Sequence, residues 1–316
     1  MCLLAQAGCG ISQAIGCGGR DLCAEVGGAT TLQALRLLQE DERTRVIVLI
    51  SKPPAPEVAE KVLAEAARGP KPVVALFLNT DLALWQGRLA STISLAHTLT
   101  EAAQMAASLC GVVSLSSSIA VRPEEEQARH PQTHVHAGPP YLAALYSGGT
   151  LCDEALHIWG TQLGPVYSNL PLRPDWLWRE GQTPPGHYAL DLGADEYTRG
   201  RPHPMIDPEA RLKYLRAAAD DPRIGVILLD IVLGYCAHPD PAAIYGPLIQ
   251  ESIGRAVQAG RRLDYVISLC GTEEDPQRLS YQENLLRQAG AETYRSNAQA
   301  AERCLALLSA QRAWKE

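Results

Sequence analysis

IGVILLDIV, residues Ile224–Val232, is a nearly unbroken run of β-branched and leucine residues. Such a run reads as a strand buried on both faces, the habit of parallel sheets covered by helices. It is preceded by AAADDPR (Ala217–Arg223): the end of a helix, an acidic turn and an arginine. The same order of signals stands at LLQEDERTRVIVLIS (Leu37–Ser51). Two copies of helix end, acidic turn, arginine and apolar strand form a weak internal repeat. They point to two flavodoxin-like α/β domains in tandem, each with a parallel sheet.

Working outward, KPVVALFL (Lys71–Leu78) is a further buried strand. APEVAEKVLAEAARG (Ala55–Gly69) is an amphipathic helix with Pro56 near its start and Gly69 as its stop. TTLQALRLLQED (Thr30–Asp41) is another helix, with Thr30 or Thr31 as cap. Thr98 and Glu101 have the spacing of a capping box, which makes His97 a helix-entry residue. Leu3, Leu4 and Ala7 sit at helical spacing before Gly8, and ISQAIGCGG (Ile11–Gly19) reads as a short strand entering a glycine turn. In the second half, YLAALYSGGT gives a strand, a glycine turn and a helix beginning near Thr150. GHYALDLGAD gives a strand and loop, and Asp207 caps a helix with Pro208 at its first position. The expected domains are 1–110 and 141–316. The polar, proline-bearing stretch 111–140 joins them as a linker.

Composition narrows the function. The chain has 316 residues, 46% of them apolar, with 28 Lys+Arg against 35 Asp+Glu and a net charge of −7. No basic block argues for nucleic acid, and no apolar run reaches membrane-spanning length. The first residues lack a charged segment followed by a long apolar stretch, which speaks against a signal peptide. Nine cysteines, an odd number without CxxC spacing, read as reduced thiols of a cytoplasmic protein.

Several segments could carry chemistry. Ser147, Gly148, Gly149 and Thr150 lie between a strand and a helix, where backbone amides can face an anion; a plain tight turn is the competing reading. Gly18 and Gly19 offer a similar loop, which is neither GxGxxG nor a Walker pattern. DLGADEYTRGRPHPMIDP (Asp191–Pro208) crowds Asp191, Asp195, Glu196, Arg199, Arg201, His203 and Asp207 after a strand, where such folds place ligands. A charged, solvated loop is the alternative there. Asp230 ends the central strand, followed by Gly234, His238 and Asp240. It reads as a ligand or base, or equally as a buried acid held by backbone amides. CGTEEDPQ (Cys270–Gln277) ends the next strand, so the two loops are expected to be neighbours. His130, His134 and His136 lack the acidic or cysteine partners of a metal loop, so no metal is assigned. There is no GxSxG and no HExxH.

The strings GISQAIGCGGRDL, YSGGTLCDEAL, DLGADEYTRGRPHPMIDPEAR, VILLDIVLGYCAHPDP and GTEEDPQ together resemble the FdrA family. That family belongs to the succinyl-CoA synthetase, or NDP-forming acyl-CoA synthetase, superfamily. The resemblance covers nearly the whole chain except the linker. It implies that the first half is similar to the ligase domain of a synthetase α subunit and the second to that of a β subunit. Fused, they would imitate the interface that forms a synthetase active site. The departures are informative. Synthetase α subunits carry a catalytic histidine in a Gly-His-Ala-Gly string after the strand matching KPVVALFL. Here that place reads NTDLALWQGRLAS, and the HAG at His136 lies in the linker. No ATP-grasp domain is present, nor the amino-terminal CoA-binding Rossmann domain that family members usually have. The chain is therefore expected to begin inside a helix of a longer pattern, as a truncated or internally started member.

The resemblance implies three functions. The first is a subunit of a multi-subunit acyl- or carbamoyl-transfer enzyme, like oxamate carbamoyltransferase of allantoin and purine catabolism. Its catalytic candidates are Arg201, His203 and Asp230. Its anion-binding candidates are Gly18, Gly19, Ser147, Gly148, Gly149, Thr150 and Gly234. The second is a succinyl-CoA-ligase-like synthetase working with a nucleotide-binding partner. The third is a non-catalytic regulatory or assembly subunit. The expected partners are other subunits and small anions; CoA or an acyl or carbamoyl phosphate would be met in the full assembly.

Overall fold

In the computed structural model, residues 1–85, 87–112 and 140–313 are described. The chain divides into two compact units, Met1–Ser118 and Ile119–Glu316. The expected linker, with the serine run and His130, His134 and His136, lies almost wholly outside the described residues.

The first unit opens with helix α1 (Cys2–Gln6). Gly8, at φ +81°, ends it, and the Gly8 and Cys9 amides return to the Ala5 and Leu4 carbonyls. The strand expected at Ile11–Gly16 does not form. Ile11 and Ile15 are exposed, so the segment buries no face against a sheet. It is tethered instead through the Ser12 hydroxyl, 2.8 Å from that of Thr44.

There follow α2 (Ala29–Glu40), β1 (Ile47–Ser51), α3 (Pro56–Ala66), β2 (Val73–Phe77), β3 (Ile93–Leu95) and α4 (Leu99–Leu109). The strands form one parallel sheet in the order β1-β2-β3. Alternation along β2 sorts its two faces. Val73, Ala75 and Phe77 pack with Leu35 of α2 and Val62 of α3. Val74 and Leu76 pack with Ala102 and Ala106 of α4. The capping box holds: Thr98 Oγ1 accepts the Glu101 amide, and the Glu101 carboxylate accepts the His97 amide. The cap expected at Thr30 or Thr31 is supplied from further away. Gly28, at φ +76°, is the N-cap position, where Val58 and Val62 crowd the backbone. Asp21 reaches over to take the helix amides.

The second unit runs β4 (Tyr141–Tyr146), α5 (Gly149–Gly160), β5 (Val166–Ser168), β6 (His187–Asp191), α6 (Asp195–Thr198), α7 (Glu209–Asp220), β7 (Ile224–Val232), α8 (Pro241–Gln258), β8 (Asp264–Cys270), α9 (Leu279–Gln288), β9 (Glu292–Tyr294) and α10 (Asn297–Ala313). Its sheet is parallel throughout, in the order β5-β6-β4-β7-β8-β9. Without β5 this is the flavodoxin order; β5 is a short strand added outside β6. Helices α5 and α10 cover one face, through Cys152, Leu156, Trp159 and Cys304. Helices α7, α8 and α9 cover the other, through Leu215, Ile249 and Leu286. The chain therefore leaves β4 toward one face and its neighbours β6 and β7 toward the other. The carboxyl end of β4 is the topological switch point of the sheet.

The internal repeat is present in detail. Asp41 ends α2 and Asp221 ends α7, at φ/ψ of −66°/111° and −73°/115°. Each carboxylate accepts the amide two residues on, from Arg43 at 3.2 Å and Arg223 at 2.9 Å. The Asp221 turn delivers the chain into the buried β7, whereas the Asp41 turn leads into β1, which lies at the edge of its sheet with Ile47 buried and Ile50 exposed, so the strand expected there is not covered on both faces. Among the described residues, no helix is long and apolar enough to cross a membrane.

Candidate functional site

The carboxyl end of β4 turns sharply at Ser147 into α5. Ser147 is buried, and both its amide and its hydroxyl donate to Asp230, at 2.8 and 2.7 Å. Asp230 sits near the end of β7, beside β4 in the sheet, so the register carries its carboxylate to the turn. Arg211, in the first turn of α7, pairs with the same carboxylate at 2.7 Å. The two side chains are 2% and 1% exposed. The Arg211 guanidinium also donates to the Leu145 carbonyl and lies over the Tyr245 ring, 5.4 Å from its centroid. Burial works against its charge, but Tyr245 and Asp230 more than offset this and raise its pKa. A residue from α7, one from β7 and one from the β4–α5 turn thus form one buried unit.

Beyond Ser147 the backbone opens. Gly148 is the N-cap position of α5, and among the described residues no side chain bonds the Gly149 or Thr150 amide. A Cβ at Gly148 would meet nothing within 4 Å. The first amides of the helix have no partners within it and carry the positive end of its dipole.

The loop after β6 closes over this turn. Asp191 Oδ1 accepts the Gly193 amide at 2.9 Å, and Asn169 brackets the Asp191 backbone with bonds to its N–H and C=O. A Cβ on Gly193 would lie 2.1 Å from the Ser147 carbonyl oxygen and 2.7 Å from His203 Nε2. The imidazole therefore stands at the switch point. Its Nδ1 accepts the Met205 amide at 3.3 Å, which places the proton of the neutral ring on Nε2. The Met205 carbonyl in turn accepts the His238 amide at 2.7 Å, tying the loop after β6 to the loop after β7. Gln277, from the loop after β8, holds that second loop: its amide group bonds both backbone groups of Gly234 and the His238 carbonyl. The neighbourhood expected of these two loops is thus realised.

The structure brings together Ser147, Gly148, Gly149, Asp230 and His203. Thr150 follows on the exposed start of α5. Gly234 belongs to the adjoining pinned loop. Arg201 lies further out: it is exposed, and its charge is felt at Tyr214, whose phenol is pushed up by burial and by the Glu180 carboxylate. Gly18 and Gly19 are in the first unit, exposed, ahead of the Asp21 carboxylate that occupies the α2 amides. Among the described residues no group of three or more His, Cys, Asp or Glu could hold a metal ion. Sequence reasoning missed Arg211, Gly193 and Gln277. For Arg211 a signal existed: it shares a helical face with Leu215, four residues on, where a lone charge is out of place.

The family match agrees with this architecture. The CoA-ligase family matches residues 145–307, more than half the chain, and the chain belongs to that family. The match begins at the end of β4 and runs into α10. A curated relative, the uncharacterized protein YahF of Escherichia coli strain K12, is 37% identical over 283 residues. These are 90% of this chain and 54% of that protein, so the chain spans about half the length of the curated relative. Among solved structures, the dinucleotide forming acetyl-coenzyme A synthetase 1 of Ca. Korarchaeum cryptofilum pairs with 90% of this chain and 57% of its own. The sequence identity is 13% and the TM-score 0.33.

Proposed function

We propose that the chain is an FdrA-type member of the CoA-ligase family and serves in a multi-subunit acyl- or carbamoyl-transfer enzyme. Its second unit would bind the phosphate of an acyl or carbamoyl phosphate at the β4–α5 turn. The observation that supports this is the uncapped start of α5 at the switch point, with open space at Gly148. Amides there stabilise phosphate as it gathers charge on leaving the carbonyl carbon. His203 Nε2–H, held near Ser147, is a second donor for the same oxygens. Arg201, on the exposed side, would draw the anion in.

The test is titration of the 316-residue chain with inorganic phosphate and with carbamoyl phosphate, following the Gly148, Gly149 and Thr150 amides by NMR. Saturable shifts at these amides are expected. Their absence at millimolar ligand would overturn the reading. Activity is then sought with carbamoyl phosphate and oxamate in the assembly with its partner subunits. A synthetase reading, with ATP, CoA and a partner, is favoured by the family match alone. It requires a phosphorylated histidine, and incubation with labelled ATP, CoA, acid and partner that gives no acyl-CoA and no labelled histidine would end it.

A further inference from the structure

The two units use a buried carboxylate in opposite ways. In the first, Asp21 spends its charge on the helix itself. The Thr30 amide, the Thr31 amide and the Thr31 hydroxyl donate to it at 3.0, 2.8 and 2.7 Å. The start of α2 thus carries its own counter-charge. In the second, Asp230 bonds Ser147, one residue before the N-cap, and its charge is met by Arg211 at 2.7 Å. Among the described residues no side chain caps the first α5 amides.

A buried ion pair of this kind is weak as a source of stability, because desolvation takes back most of the Coulombic gain. Its placement has another consequence. A lone carboxylate here would set a full negative charge within two residues of the Gly149 amide. In so dry a place that charge would oppose any anion at the start of α5 by roughly tenfold or more. We infer that Arg211 is a positioning and charge-cancelling residue: it lets Asp230 hold the Ser147 turn by hydrogen bonds while removing Asp230's part of the negative charge there. The buried Asp191 and Asp153 also contribute to that charge, as their effect on Cys152 shows. This rests on the anion-binding reading above, and deepens it by naming the residue that makes the turn hospitable to phosphate.

The experiment is a cycle of Arg211→Met, Asp230→Asn and the double variant in the full chain, read in two ways. The first is affinity for inorganic phosphate. Arg211→Met is expected to lose roughly tenfold, and the double variant to return to about the wild-type value. A double variant as weak as Arg211→Met would mean that the pair only shapes the turn, and would overturn the inference. The second readout needs no ligand: the hydroxide-catalysed exchange of the Gly149 and Thr150 amides with water, hydroxide being itself an anion. Exchange should slow roughly tenfold in Arg211→Met and recover in the double variant. Unchanged exchange in a folded Arg211→Met protein overturns the inference whatever phosphate does. Exchange that follows the expected pattern, in a protein that binds no phosphate, supports the role of Arg211 and removes the anion-binding reading alone. Should Arg211→Met not fold, Asp230→Asn carries the test: exchange at both amides must rise, and no rise overturns the inference.

Discussion

Gly193 and Ser147 approach so closely that a single methyl group on Gly193 would lie 2.1 Å from the Ser147 carbonyl oxygen. Backbone cannot yield as a side-chain tip does, so the loops after β4 and β6 would have to part. Gly193→Ala is expected to lose about 1–3 kcal/mol of stability and to shift the His203 resonances. Urea unfolding and an NMR spectrum check both.

Ser147→Ala separates two roles of the turn. The hydroxyl is committed to Asp230 Oδ2, so its loss should cost about 1–2 kcal/mol of stability. The amide bond to Oδ1 stays, and phosphate affinity should change less than threefold. A larger loss, measured by titration calorimetry, would show that the hydroxyl itself meets the ligand.

Breaking the buried pair is the costly change. Arg211→Met leaves Asp230 buried without its counter-ion and is expected to lose about 3–5 kcal/mol, whereas the double variant with Asp230→Asn should recover most of it. Denaturant midpoints of the three variants against wild type decide this.

Asp21 gives the first unit a pH signature. Burial pushes its carboxyl up, but the Thr31 hydroxyl and the Thr31 and Thr30 amides outweigh this and hold its pKa below the usual value. The stabilisation is therefore present above the unfolded pKa of about 3.9 and lost as pH falls through the lower folded value. Asp21→Asn should flatten this acid limb of the stability curve and cost about 1 kcal/mol at pH 7. An unchanged limb would mean that other carboxylates set it.

The thiols report on folding. Cys152 and Cys304 are buried, and burial raises both well above the usual thiol value, while Cys236 is exposed. Under native conditions a thiol reagent should modify Cys236 first and reach Cys152 and Cys304 only on unfolding. Mass spectrometry after brief labelling checks the order.

Much of the fold was legible because its central strands are apolar runs. β7 and β2 announce themselves as unbroken runs, α3 and α4 carry their starts in Pro56 and Thr98, and α5, expected to begin near Thr150, starts one residue earlier at Gly149. What failed was short or solitary. ISQAIG has strand-like residues but no sheet to join, and β3 is only three residues, too few to show a period. The site was half legible. Glycines at the β4 turn, Asp230 and His203 were visible as residue types at strand ends. Two things were not visible: that Asp230 would be locked between Ser147 and Arg211, and that Gly193 would press against both Ser147 and His203. Those facts arise from register across β4, β6 and β7, and contacts so distant in sequence leave no local trace.

The turns at Asp41 and Asp221 bear on how the molecule comes into being. Each is closed by bonds spanning two or three residues, so each forms without waiting for distant chain. A growing polypeptide completes the first of them before any of the second unit is made. The first unit can then fold on its own schedule, and the second starts afresh from an equivalent nucleus.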